Sequence, residues 1–271
     1  RRGLAYSKEA QAANIDFPKG CALIGPPGTA KSVVAKMTCG LLGLPGYVLD
    51  IGALFGSLVG ESEQRTRDIL KQIDAQQGCV VVIDEADKAL ANAHQSTGDS
   101  GVTKRVFGAI LTWLAENKAK TFCLMTLNRT AGLPPEFLRA GRFDAIFSTD
   151  LPAAKARIDI AKIHLKKRGV AIDEMGFNDD DWAELARQTA NMVGSEIEEM
   201  VVESRLLAFQ ARQVGVPEFG ELIEARANMR ILHDLDKTGI EEIRDFCKDR
   251  AKPVALLEDQ LEDGAARSVE V

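Results

Sequence analysis

The sequence predicts an α/β fold in which a doubly wound, parallel five-stranded sheet is followed by an all-helical domain. Apolar runs near 21–25, 47–51, 79–84, 121–126 and 145–149 alternate with helix-length segments, the pattern of a parallel sheet covered on both faces. Two of these runs end in residues that carry chemistry, a Gly-rich turn closing in Lys-Ser and a pair of carboxylates. After Leu151-Pro152 only helical periodicity remains. We therefore divide the chain into an α/β nucleotide-binding domain over 1–151, a helical domain over 152–250 and an acidic flexible tail over 251–271.

The first strand runs from Cys21 into Gly25-Pro26-Pro27-Gly28-Thr29-Ala30-Lys31-Ser32-Val33. Glycines 25 and 28 let the backbone curl so that successive N–H groups point at a phosphate, and the following helix aims its positive dipole end at the same place. Lys31 would reach the β/γ-phosphates and Ser32 would ligate Mg²⁺. Ala30 stands where the GxxxxGK[ST] pattern has its second Gly. We expect it in the first turn of the helix, with helical backbone angles that Ala accepts without strain. The bland alternative is a Gly/Pro hairpin with a chance Lys.

The third strand, Cys79-Val-Val-Val-Ile83, is continuously apolar and ends in Asp84-Glu85-Ala86-Asp87. Asp84 would hold Mg²⁺ through its water shell, and Glu85 would orient and polarise an attacking water. Taken alone, these acids are a solvated strand end that begins a helix. A phosphate loop about 50 residues upstream argues for the catalytic reading. The fourth strand, Thr121 to Leu127, ends in Asn128, an amide suited to the γ-phosphate or the lytic water. Beyond it come Arg139 and Arg142, three residues apart after a helix-sized segment, as suits delivery of guanidinium to a neighbour's phosphates. Ordinary surface ion pairs are the alternative there.

In this order, the phosphate loop, the acidic strand end, Asn128 and Gly141-Arg-Phe-Asp144 resemble the AAA family of AAA+ ATPases, and the likeness covers most of the chain. Phe17-Pro-Lys-Gly20, Leu54 to Glu63, Thr97 to Gly101, Arg105-Val-Phe-Gly108, Leu111-Thr-Trp-Leu114 and the late stretch Ile240 to Pro253 are similar to a branch of that family encoded in algal plastids and in cyanobacteria. The resemblance implies a P-loop AAA+ fold with a C-terminal helical lid, ATP and Mg²⁺ as cofactors, and a ring-type homo-oligomer, a hexamer. It also implies Glu85, Asn128 and Lys31 as catalytic groups, and Arg139 and Arg142 as arginine fingers acting on the adjacent subunit. Phe55 to Gly60 falls where such rings present a loop to the central pore, which makes Leu58 and Val59 the pore-loop candidates. Threading enzymes usually carry an aromatic at the place of Leu58, so the aliphatic residue weakens a translocation reading. The polar loop 92–102 is either a second pore loop or a plain connection.

In the helical part, Asn178-Asp-Asp-Asp181 reads as a helix start with acids complementing the dipole rather than as a metal cluster. Gly194-Ser195-Glu196 opens a helix with apolar positions 197, 200, 201, 204, 207, 208 and 211. The resemblance makes Gly194 and Ser195 adenine or ribose neighbours, and a capped helix packing the lid core is the equal alternative.

A chain of 271 residues, 45% hydrophobic, can bury an α/β core and a small satellite domain. Its net charge of −6 and pI near 5.3 argue against a surface that coats nucleic acid. Five cysteines without pairing or zinc spacing read as reduced thiols of a soluble, cytoplasmic protein. No run reaches membrane-spanning length. The opening Arg1-Arg2-Gly3 without Met leads us to expect a longer natural chain. We expect a Mg²⁺-dependent ATPase that remodels a protein partner or adaptor. The other readings are a nucleic-acid translocase or helicase-like motor and an ATP-binding switch, which would have no use for Glu85.

Overall fold

The computed structural model describes residues 8–54, 61–76, 78–88, 100–116, 120–139 and 141–254. Leu58, Val59, residues 92–99 and most of the predicted acidic tail lie outside them. The chain divides into two compact units. The first comprises 1–25, 31–148 and 242–252, and the second comprises 26–30, 149–241 and 253–271. Residues 242–252, the end of helix Lys237–Cys247 and the turn and strand residue that follow, thus fall with the first unit, whereas the sequence division assigns 242–250 to the helical domain and 251–252 to the acidic tail. Ile243 and Cys247, one turn apart on one helix face, enter the first unit's core, a partnership that helical spacing does not reveal.

The first unit is built on β1 (Gly20–Ile24), β2 (Gly46–Val48), β3 (Cys79–Ile83), β4 (Thr121–Leu127) and β5 (Ala145–Ser148). A two-residue β6 (Lys252–Pro253) extends the sheet, giving the order β2-β3-β4-β1-β5-β6. Five strands were expected. The sixth is too short to show a period of two, and proline confines such pairing to an edge. β1 pairs in parallel with both β4 and β5, and β3 with both β2 and β4.

Side chains of the central strands β1, β3 and β4 alternate between two buried faces, which is why their runs read as continuously apolar. Leu23, Val80, Val82 and Leu124 pack with Ala35 of α2 (Lys31–Leu42), the short α1 (Lys8–Ala12) preceding β1. Ala22, Ile24, Val81, Ile83, Cys123 and Met125 face the other way. There they join Leu70 of α3 (Glu61–Asp74) and Val106, Phe107, Ile110, Leu111 and Leu114 of α4 (Ser100–Glu116). The pairings Ile24↔Leu127 and Ile83↔Met125 bring the carboxyl ends of β1, β3 and β4 to one edge of the sheet, where a doubly wound fold places its ligands. None of the five cysteines is in a disulfide, and burial pushes the Cys21 thiol up to about 12.

The second unit is helical, with α5 (Ala154–Lys167), α6 (Asp179–Gln188), α7 (Gly194–Arg212) and α8 (Phe219–Ala227) around Leu165, Trp182, Leu185, Met192, Ile197, Met200, Val201 and Leu222. Asn178 caps α6 as its sequence predicts. Its Oδ1 accepts the Asp181 N–H and the Asp181 carboxylate accepts its N–H, both at 3.0 Å. On α7 the expected apolar face is buried at 197, 200, 201, 204 and 208, whereas Ala211 is exposed.

Candidate functional site

The phosphate-loop residues are divided between the units, with Gly25 and Lys31 in the first and 26–30 in the second. Within the second unit the loop is tied to the start of α7. The Ser195 N–H donates to the Gly28 carbonyl at 3.3 Å, and Gly28, at φ 81°, has no room for a Cβ, which would meet Ser195 Oγ at 2.3 Å. Gly194 also faces the Gly28 carbonyl, which a Cβ would approach to 3.2 Å. Thr29 Oγ1 donates to the Pro26 carbonyl and lies 2.8 Å from Thr149 Oγ1. Gly194 and Ser195 are thus neighbours of the loop's backbone.

Ala30 departs from expectation. Its φ is 62°, in the left-handed region, and α2 begins only at Lys31. The turn into the helix occupies position 30 itself, so a conformation suited to Gly is held by Ala at a cost of about 1–2 kcal/mol.

In the first unit Lys31 is 5% exposed, and its Nζ donates to the Gly25 carbonyl at 2.8 Å. Burial lowers its ammonium to about 8, against the opposing pull of Asp87, Asp84 and Glu85. These acids gather at the ends of β3 and β4. Thr126 Oγ1 donates to Asp84 Oδ1 and accepts the Glu85 N–H at 2.8 Å. Asn128 Nδ2 donates to Glu85 Oε1 at 3.1 Å, and the Asn128 N–H donates to Asp87 Oδ1 at 2.9 Å. Lys88 Nζ pairs with Glu85 Oε2. Asp87 is buried, and this desolvation pushes its carboxyl above the usual carboxylate range although backbone N–H groups pull it down.

Lys31, Asp84, Glu85 and Asn128, picked out from separate motifs, therefore belong to one electrostatic and hydrogen-bonded cluster, while Ser32 and Val33 stand exposed in the first turn of α2. The geometry adds Thr126 and Asp87. The only signal for Thr126 in the sequence is a hydroxyl inside an apolar strand two residues before Asn128, while Asp87 was visible in the acidic run without a role. A hydroxyl at Ser32 and a carboxylate at Asp84 are hard oxygen donors, which fit Mg²⁺ rather than a softer metal. Among the described residues no group of three or more His, Cys, Asp or Glu is placed to hold a metal ion.

The arginine segment is anchored by Phe137, 1% exposed, whose ring lies 5.2 Å from that of Phe143 and 6.5 Å from that of Phe107. The helix-sized stretch before it is a single 3₁₀ turn, Pro135–Leu138. Asp144 clamps the far end, with Oδ2 accepting the Gly20 N–H at 3.0 Å and its own N–H donating to the Gly20 carbonyl. Arg142 donates to the Glu136 carbonyl at 2.6 Å. The exposed Arg139 side chain has no hydrogen-bonding or ionic partner among the described residues.

Residues 21–151 match the family described as "ATPase family associated with various cellular activities (AAA)". The chain is 38% identical over 247 residues to the AAA domain-containing protein ycf46 of Guillardia theta, covering 90% of this chain and 47% of that one. It is 33% identical over 214 residues to an ATP-dependent zinc metalloprotease FtsH of Pirellula staleyi, covering 77% and 30%. It therefore spans about half or less of the length of these relatives. The crystal structure of the FIGL-1 AAA domain in complex with ADP shares the fold, with a TM-score of 0.73 at 17% identity, covering 92% of this chain and 84% of that one. No helix among the described residues is long and apolar enough to cross a membrane. Over residues 21–151 the chain carries a domain of the AAA ATPase family.

Proposed function

We propose that the chain is a Mg²⁺-dependent ATPase whose active sites form between subunits of a ring and whose turnover remodels a protein partner. The observation that supports hydrolysis is the cluster itself: Lys31, Asp84, Glu85 and Asn128 share one electrostatic and hydrogen-bonded network. In this reading Gly25 to Val33 hold the phosphates through backbone N–H groups, with Gly194 and Ser195 near the adenosine. Ser32 and Asp84 would hold Mg²⁺, which would supply neutralising charge to the phosphates. Lys31 offsets charge on the phosphoryl group, Glu85 takes the water's proton, and Asn128 orients either Glu85 or that water. Arg139, with Arg142 behind it, reaches the phosphates of the adjacent subunit. The ATP-dependent relative supports ATP as the nucleotide. The acidic balance of the chain favours a protein partner over nucleic acid.

The test is ATP turnover with Mg²⁺ and with a chelator, alongside nucleotide binding. The reading expects turnover only with Mg²⁺ and binding abolished or greatly weakened in Lys31→Ala. Wild-type protein that binds no nucleotide, or that binds ATP without hydrolysing it at any protein concentration, contradicts it.

A further inference from the structure

Glu85 sits at φ 51°, a left-handed conformation that residues with a full side chain enter only when their surroundings hold them there. The Glu85 N–H is fixed by the hydroxyl of Thr126, itself 1% exposed, at 2.8 Å. A hydroxyl has one proton, and Thr126 gives it to Asp84 Oδ1. The direction of both bonds follows: an amide donates in from one side, and a carboxylate accepts on the other. A buried threonine with only a packing role needs any acceptor, such as a backbone carbonyl of its own strand. This one is matched instead to the two successive acids at the end of the neighbouring strand.

We propose that Thr126 is a positioning residue of the hydrolytic site, its single hydroxyl turning Asp84 for the metal and locking the backbone from which Glu85 addresses the water. With Oδ1 of Asp84 engaged by Thr126, Oδ2 would remain to face a hydrated metal ion, and a carboxylate offered through one oxygen suits an ion that keeps its water shell. The same bond spares Glu85 the search for its unusual backbone angle. The proposal rests on the ATPase reading above, and extends it to a residue that touches neither nucleotide nor water.

The test compares Thr126→Val, Thr126→Ala and Thr126→Ser with the wild type. It measures the melting temperature, nucleotide affinity with and without Mg²⁺, and kcat and KM for ATP. In the two hydroxyl-free variants we expect metal-free affinity to be unchanged. The gain in affinity on adding Mg²⁺ should shrink roughly tenfold, and kcat should fall tenfold or more with KM little moved. Thr126→Ser should stay within about threefold of wild type on every reading. The proposal is overturned if Val or Ala keeps the Mg²⁺ gain and turnover of wild type, or if Ser is as impaired as they are. Should neither hydroxyl-free variant fold, Ser decides alone: a wild-type Mg²⁺ response supports the proposal, and a lost response in a folded protein overturns it. If the wild type does not hydrolyse ATP, the functional reading fails by itself, and the Mg²⁺ gain in affinity still judges Thr126. A wild type whose affinity ignores Mg²⁺ overturns the proposal.

Discussion

The acidic ends of β3 and β4 and the arginine segment 139–144 belong to the same unit, yet they are built on opposite plans. At the acidic end, Asp84, Glu85, Asp87, Thr126 and Asn128 satisfy one another through four hydrogen bonds, and Lys31 is buried among their charges. In the arginine segment Phe137 is buried on one side and Asp144 clamps Gly20 on the other, but the Arg139 side chain faces solvent. The acidic end uses its hydrogen bonds to organise its own side chains. The arginine segment leaves the guanidinium of Arg139 exposed. Under the proposed mechanism, the first region completes half of an active site and the second serves another copy's half.

The largest expected break in this comparison comes from Arg139→Ala, which should lower turnover on the order of 10³-fold while nucleotide binding persists. Arg142→Ala should cost clearly less, because its guanidinium already serves the Glu136 carbonyl in its own chain. Steady-state turnover beside direct nucleotide titration checks both, and equal losses would erase the distinction between the two arginines. On the acidic side, Glu85→Gln keeps the shape and the acceptor for Asn128 but cannot take a proton. It should fall about 10²- to 10⁴-fold in turnover and retain ATP on a gel-filtration column. Turnover within a factor of two of wild type would remove Glu85 from the chemistry.

A moderate effect follows from Lys31. Its ammonium is lowered to about 8 in the free protein, and anionic phosphates must raise it on binding. The complex therefore holds more protons above pH 8, and nucleotide affinity should decline as pH rises from about 8. Calorimetry at pH 8.5 in buffers of different ionisation enthalpy should show proton uptake on binding, and proton release would contradict the assignment. The same depressed value means that keeping Lys31 charged weighs against folding below about 8, a burden relieved between 8 and its ordinary 10.5. The smallest effect concerns Ala30→Gly. Relief of the left-handed strain, about 1–2 kcal/mol, is offset by glycine's unfolded-state entropy of about 0.5–1 kcal/mol. A melting temperature equal to wild type or slightly higher is expected, and a clear drop would mean that Ala30 makes a contact worth more than its strain.

The strands were legible because a parallel sheet buried on both faces writes itself as short, unbroken apolar runs, and because the phosphate loop and acidic strand end sit at fixed places on such runs. Capping at Asn178 was legible for the same local reason. Thr126 was not, since its meaning depends on which strand lies beside β4, and pairing is a property of the folded sheet. The left-handed turn at Ala30 turned on whether α2 starts at 30 or at 31, a one-residue question that spacing does not answer. The allegiance of 242–252 to the first unit was hidden because an amphipathic helix declares an apolar face without naming its partner.

The claim that each site is completed by a neighbour is tested most directly by mixing Arg139→Ala with Glu85→Gln and following turnover and molar mass by light scattering. Each variant keeps what the other lacks. The account predicts that mixed assemblies regain turnover that neither variant has alone, because some interfaces unite an intact Glu85 with a neighbour's intact Arg139. Mixed assemblies that form and remain as inactive as their parts would contradict it.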